Sequence, residues 1–175
     1  DYQIEAAKAG LDQAAALGAG HVRFFAGTGK GFSQGRDRIN NAIESLKVCC
    51  DYAGERGVFV GVENHGDITP DLLLEIIEKV DSPWIGINLD TGNFFSDTPY
   101  IDLERCALHT VNVQVKVNMQ TPAPERKRYP ADFDRIADIL KRANYQGYVV
   151  LEFEEDDAFK EIPPHLKKLD SALNS

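Results

Sequence analysis

Four stretches of this 175-residue chain carry side chains that can hold a cation or move a proton, and each does so within or just after an apolar run. They are Val62-Glu63-Asn64-His65, Leu89-Asp90-Thr91-Gly92-Asn93, Val113-Gln114-Val115-Lys116 and Leu151-Glu152-Phe153-Glu154. Residues two apart share one face of a strand, so the alternation shows which way each points. Val111, Val113, Val115 and Val117 fall on one face, and Asn112, Gln114 and Lys116 on the other. Gly61, Glu63 and His65 likewise oppose Val58, Val60 and Val62; Asn88 and Asp90 oppose Ile85, Ile87 and Leu89; Glu152 and Glu154 oppose Val149, Leu151 and Phe153. A polar face inside a covered sheet is costly unless its groups satisfy one another or meet water or a metal. Carboxylates converging on a dry site repel, and each is driven toward its neutral form. A divalent cation between Glu63, Asp90, Gln114 and Glu152 removes that conflict. Their oxygens are hard ligands, which suits Mn2+ or Mg2+ better than zinc.

These side chains must be delivered to one place by the elements around them. Short β-branched runs alternate with amphipathic stretches, the pattern of a parallel sheet with crossover helices. Strands are expected at Val22 to Ala26, Val58 to Asn64, Ile85 to Asp90, Val111 to Val117 and Tyr148 to Glu154. Between them Ile4, Ala7, Leu11, Ala14 and Ala15 repeat at helical spacing, as do Ile39, Ile43, Leu46, Cys50 and Ala53. Thr69-Pro70 reads as an N-cap followed by proline at the first helical position, opening a helix to Val80. A shorter helix is expected over Ile101 to Ala107 and a longer one, lined by Phe133, Ile136, Ile139 and Leu140, after Pro130, with a last one starting at Pro163 and Pro164. The stretch Asn118 to Tyr129 reads as a long irregular loop. Gly27-Thr28-Gly29-Lys30-Gly31 lacks the Ser or Thr that a phosphate loop needs after Gly-Lys, and reads as a loop over the site.

Composition excludes some roles. The formal charge of −9 repels phosphodiester backbones and anionic membrane surfaces, so neither nucleic acid nor membrane is an expected partner. No apolar run approaches a bilayer span, and the first residues lack the order of a signal peptide. Cys49, Cys50 and Cys106 fit buried small apolar residues better than a disulfide framework. A cytoplasmic setting is expected, unless a targeting segment precedes Asp1.

Leu17-Gly18-Ala19, Val62-Glu63-Asn64-His65, Leu89-Asp90-Thr91-Gly92-Asn93, Val113-Gln114-Val115-Lys116 and Gly147-Tyr148-Val149-Val150-Leu151-Glu152 together resemble strands four to eight of the xylose isomerase-like sugar isomerases and epimerases. The resemblance implies an α/β fold, a partial TIM (β/α)8 barrel of about five parallel strands, with residues 1–175 forming the C-terminal portion of one barrel domain. Metal ligands in that family match Glu63, Asp90, Gln114 and Glu152. Gln114 stands where ketose epimerases usually have His and where some 3-dehydroshikimate dehydratases are similar in having Gln; Asn93 stands where many epimerases have His. The chain is then expected to be a fragment whose open edges favour association into a homo-oligomer. The expected activity is a metal-dependent isomerisation or epimerisation of a small sugar or polyol, with Glu63 and Glu152 exchanging a proton and His65 or Lys116 stabilising charge on oxygen. The alternatives are a dehydratase that shares the first step and a barrel that binds sugars without turnover. Arg23 could reach the pocket, Lys116 and Glu154 could equally form a rim salt bridge, and Arg126-Lys127-Arg128 could grip a phosphate or simply be solvated.

Overall fold

The computed structural model describes residues 2–27, 35–66 and 68–175. Of the expected loop over the site, Gly27 to Gly31, residues 28–31 lie outside them.

Five strands form one parallel sheet in sequence order: β1 (His21–Phe24), β2 (Phe59–Glu63), β3 (Ile85–Asp90), β4 (Thr110–Lys116) and β7 (Val149–Glu152). Helices α1 (Tyr2–Ala16), α2 (Arg36–Gly54), α3 (Pro70–Val80), α4 (Pro99–Ala107), α5 (Phe133–Arg142) and α6 (Ala158–Asn174) connect or follow them. The order has no reversal, as a barrel arc requires and a doubly wound sheet does not. The sheet is half of a barrel, with β1 and β7 at its two edges.

The apolar alternation decides which face the helices cover. Val60, Val62, Ile87, Leu89, Val113 and Val115 are all but inaccessible beneath Leu73, Ile76, Leu103, Ile136 and Ile139 of the helices. Each such side chain contributes about 1.5–3 kcal/mol relative to leaving it in water. Caps set where the helices begin. Thr69 Oγ1 accepts from Leu72 N at 3.3 Å and Asp132 Oδ1 from Arg135 N at 3.1 Å, each satisfying an N–H that the first turn leaves unpaired.

Three expectations need correction. The last helix starts at Ala158, not at the prolines, because Asp157 Oδ1 caps Lys160 N at 3.2 Å and Pro163 and Pro164 are carried inside the helix. The expected irregular stretch after β4 contains an antiparallel pair, β5 (Asn118–Gln120) with β6 (Arg128–Pro130), anchored by buried Met119. Val111 does not share the face of Val113 and Val115. Ile87 is opposite Thr110 but Asn88 is opposite Asn112, so Val111 is one extra residue in β4, a bulge that reverses its direction.

Val111 instead packs on Gly61 and Gly86, which are paired across β2 and β3. A Cβ at Gly86 would lie 2.3 Å from Val111 Cγ1 and 2.9 Å from the His109 carbonyl oxygen. Gly86→Ala is therefore expected to destabilise by about 1–3 kcal/mol, read as a lower urea midpoint at unchanged m-value. An unchanged midpoint would show that β4 can back away.

The cysteines are as inert as the composition implied. Cys50 and Cys106 are fully buried, and burial pushes both thiols up to about 12; burial also raises that of Cys49. At pH 8 a thiol reagent should label none of these three in the native protein and all three after unfolding.

Candidate active site

Strand register brings the polar residues together. Glu63 is opposite Asn88, Asp90 opposite Gln114, and Lys116 opposite Glu152, so three neighbouring pairs step across the C-terminal ends of β2, β3, β4 and β7. Glu63, His65, Lys116, Glu152, Glu154 and Arg23 line one cavity of about 320 Å³. Asp90 is fully buried behind it. Lys116 Nζ lies 3.1 Å from Glu152 Oε1, 2.9 Å from Glu154 Oε2 and 3.6 Å from Asp90 Oδ2. The ammonium thus sits among carboxylates within the pocket, not on an outer rim.

The segment after β3 is held in place by a set of hydrogen bonds. Asn64 Nδ2 donates to the Asp90 carbonyl at 2.8 Å, while Asp90 N donates to Asn64 Oδ1 at 2.7 Å, so one side chain splices the end of β2 to β3. Gly92 N donates to Asp90 Oδ1 at 2.9 Å. Asn93 Nδ2 donates to Asp90 Oδ2 at 2.8 Å and Glu63 Oε1 at 3.3 Å, joining the two carboxylates. Thr91 Oγ1 accepts from Lys116 N at 3.1 Å.

Gln114 connects to Glu152 through its nitrogen: Nε2 donates to Glu152 Oε2 at 2.8 Å, and its oxygen accepts from Asn88 Nδ2. His65 is exposed at the mouth, its ring 4.8 Å from that of Phe25. Arg23 Nη1 lies 3.3 Å from Glu63 Oε2, an ion pair without hydrogen-bond geometry, since that buried oxygen has no donor.

Electrostatics divides the carboxyls. Burial pushes Asp90 up to about 8, with the charges of Glu152 and Glu63 adding to the rise and Lys116 and the Gly92 amide opposing it. Burial also raises Glu63, against the pull of Arg23 and His65. Glu152 goes the other way. Burial opposes its charge, but the hydrogen bond and charge of Lys116, with help from Asp90 and Gln114, hold it below the usual range. Lys116 is raised in turn: burial works against its charge and Asp90, Glu154 and Glu152 outweigh it.

The donor set fits a divalent cation in its chemistry. Glu63, Asp90 and Glu152 supply oxygens only, one of them a buried oxygen without a donor, and Lys116 with Arg23 sets two positive charges against three carboxyl groups. Among the described residues no three His, Cys, Asp or Glu side chains stand as a ready ligand group. The Lys116 ammonium and the Asn93 amide lie between them.

Sequence reasoning missed the roles of Asn64, Asn88, Asn93 and Asn112, which join the strands through their side chains. The visible signal was the run of amides on inward strand positions. It also missed Asn118, which lines the same cavity from β5 with its Nδ2 2.8 Å from Glu155; Arg128, expected to grip a phosphate or be solvated, lines it from β6 with Nη1 3.2 Å from the same carboxylate. Arg128 is therefore paired over the pocket and not merely solvated.

A parallel barrel arc with its polar cavity at the C-terminal strand ends defines the class: a TIM-barrel protein with its site where barrel enzymes build theirs. The chain belongs to the xylose isomerase-like TIM barrel family, whose profile matches residues 1–171. Among solved structures it is similar to a D-tagatose 3-epimerase-like protein (21% identity, TM-score 0.79, covering 98% of this chain and 69% of that one). It is also similar to a xylose isomerase-like TIM barrel protein from Mycobacterium smegmatis in complex with magnesium (21%, 0.75, 97% and 67%). A third is the D-allulose 3-epimerase from Methylomonas sp. in complex with D-allulose (16%, 0.66, 97% and 65%). The chain spans about two-thirds of the length of such relatives, and less of several. No curated protein sequence matches it.

Proposed function

We propose that this chain forms the greater part of a sugar or polyol isomerase or epimerase that moves a proton on the carbon next to a carbonyl. The observation that carries the reading is the contrast between two carboxyls facing one cavity: Glu63 held toward its neutral form by burial, Glu152 held ionised by Lys116. Environments that separate two carboxyls in this way assign an acid and a base. The epimerase names of structural relatives, one holding a ketose, support the same class.

Glu63, Asp90 and Glu152 would hold a divalent cation, with Gln114 as the fourth ligand; Mg2+ has the support of one relative's complex, and Mn2+ suits the same oxygens. When bound, the cation supplies a Lewis acid that polarises the substrate carbonyl. The side chains do the rest. Glu152 accepts the proton from carbon, its basicity set by Lys116 at 3.1 Å. As Glu152 is neutralised its hold on the ammonium weakens, and Lys116 turns its charge to the enediolate oxygen. Glu63, whose burial favours the proton-carrying form and which is separated from Glu152 by β3 and β4, returns a proton to the other face. Arg23, His65 and Asn118 supply the donors and acceptors that hydroxyl groups need.

Deuterium uptake from D2O into a panel of ketoses and keto-polyols, with and without Mn2+ or Mg2+, tests this in the intact protein. Uptake into recovered substrate and its epimer is expected. Loss of water with a new conjugated absorbance would assign a dehydratase, the alternative that Gln114 keeps open. Stoichiometric sugar binding without uptake would overturn the enzyme reading.

A further inference from the structure

Three primary amides stand in line behind Glu152. Asn112 Nδ2 donates to Asn88 Oδ1 at 2.8 Å, Asn88 Nδ2 donates to Gln114 Oε1, and Gln114 Nε2 donates to Glu152 Oε2 at 2.8 Å. Every donor points toward the carboxylate. Asn88 and Asn112 are 1% and 4% exposed, and the far end of the line, Asn112 Oδ1, is buried without a partner. The bulge at Val111 makes the line possible, because it is what sets Asn112 opposite Asn88.

A primary amide has an acceptor on one side and a donor on the other, and a half-turn exchanges them with almost no change in shape. A line of three has two fully paired internal arrangements, all turned one way or all turned the other. A single reversed member would set acceptor against acceptor and donor against donor, at several kcal/mol in a buried site. The near end chooses between the two. A carboxylate alone requires an N–H from Gln114; a cation among the carboxylates requires its oxygen. The far end opposes neither, since reversal only exchanges one unpaired amide atom of Asn112 for the other.

We infer that Asn88 and Asn112 are positioning residues that fix the polarity of the Gln114 amide, and that the line Asn112–Asn88–Gln114 reverses end for end when a divalent cation binds at Glu63, Asp90 and Glu152. This rests on the cation reading above. Its consequence is that cation binding is transmitted, through side chains alone, to an asparagine that touches neither carboxylate nor cation. It also makes Asn88 a determinant of cation affinity although its oxygen and nitrogen are both spent on other amides.

The test is a titration of the intact, 15N-labelled protein with Mg2+, following the side-chain amide signals of Asn88 and Asn112 while calorimetry measures binding. Both signals are expected to move with the binding isotherm in the native protein, and to stay still in Gln114→Met, where the line is cut. Asn88→Leu is expected to weaken Mg2+ binding about tenfold, within the usual range for residues behind a ligand, with no further loss when combined with Gln114→Met. If Mg2+ binds while the Asn112 signal stays fixed, the reversal is wrong and the cation site stands. If Mg2+ does not bind the native protein, both fail. The native titration decides even if Asn88→Leu does not fold.

Discussion

Glu152→Gln is expected to lower the exchange of the substrate's hydrogen with solvent by about 10²–10⁴-fold, the range that a positioned base contributes, while cation binding falls far less. A carboxamide offers an oxygen but accepts no proton at neutral pH, so the substitution separates ligation from proton transfer more cleanly than alanine would. Two contacts sharpen the expectation. Lys116 Nζ at 3.1 Å and Gln114 Nε2 at 2.8 Å both donate to Glu152, so a carboxamide in its place would turn its oxygen to one of them and leave the other facing an N–H. Single-turnover deuterium uptake, measured beside Mg2+ calorimetry on the same preparation, reads both quantities. Exchange within threefold of the native rate would remove Glu152 from the role of base and shift the assignment to Glu63.

Lys116→Met is expected to cost about 3–5 kcal/mol at pH 9 in the absence of divalent cations, the penalty for leaving buried charge without its partner. The pH dependence carries the sign. Asp90 is raised from 3.8 to about 8 in the folded protein, so the native state keeps a proton that the unfolded chain has lost. A carboxyl raised in this way contributes no penalty below about pH 4, and stability falls as the pH climbs from there to about 8, then levels off. Removing Lys116 takes away the charge that limits this rise, so through Asp90 the loss should be absent at pH 5 and grow above pH 8, extending the decline to higher pH, while the support that Lys116 gives to ionised Glu152 is lost at both pH values. Mg2+ at saturating concentration should recover most of it, because a cation bound only to the native state stabilises by mass action. Urea titrations at pH 5 and pH 9, with EDTA or with Mg2+, give the four values. An equal loss at both pH values would mean that Lys116 does not act through Asp90, leaving its pairing with Glu152 or its packed methylenes as the source.

Much of the site was legible before folding, and the reason is the period of a strand. Alternation set Glu63, Asp90, Gln114 and Glu152 on one face and the valines on the other, because a β-strand allows no other partition once one face must be buried. The parallel order was legible from the helical stretches between runs, since a crossover helix is the usual way to join parallel neighbours. The cap at Thr69, and the burial of the cysteines, followed from residue type and local spacing.

Most of what failed depended on a second segment. Val111 looked like its valine neighbours because one extra residue in β4 is invisible until β3 is laid beside it and Asn88 is found opposite Asn112. The start of α6 was misplaced because proline is a strong local signal, while the Asp157 cap that overrules it is a weaker one. Asn118 to Tyr129 looked irregular because the pairing of β5 with β6 and the burial of Met119 have no period in so short a run.

The sequence by itself determined the kinds of group at the site and the face they share: oxygen donors, one ammonium and amides at inward strand positions. Only the tertiary structure decided how charge and hydrogen bonds are distributed among them. Glu63 and Glu152 have the same side chain at the same point in their strands, yet one is desolvated and the other is held ionised by Lys116. That difference comes from burial and from neighbours on other strands, and both are set by distances through space that strand spacing along the chain does not contain.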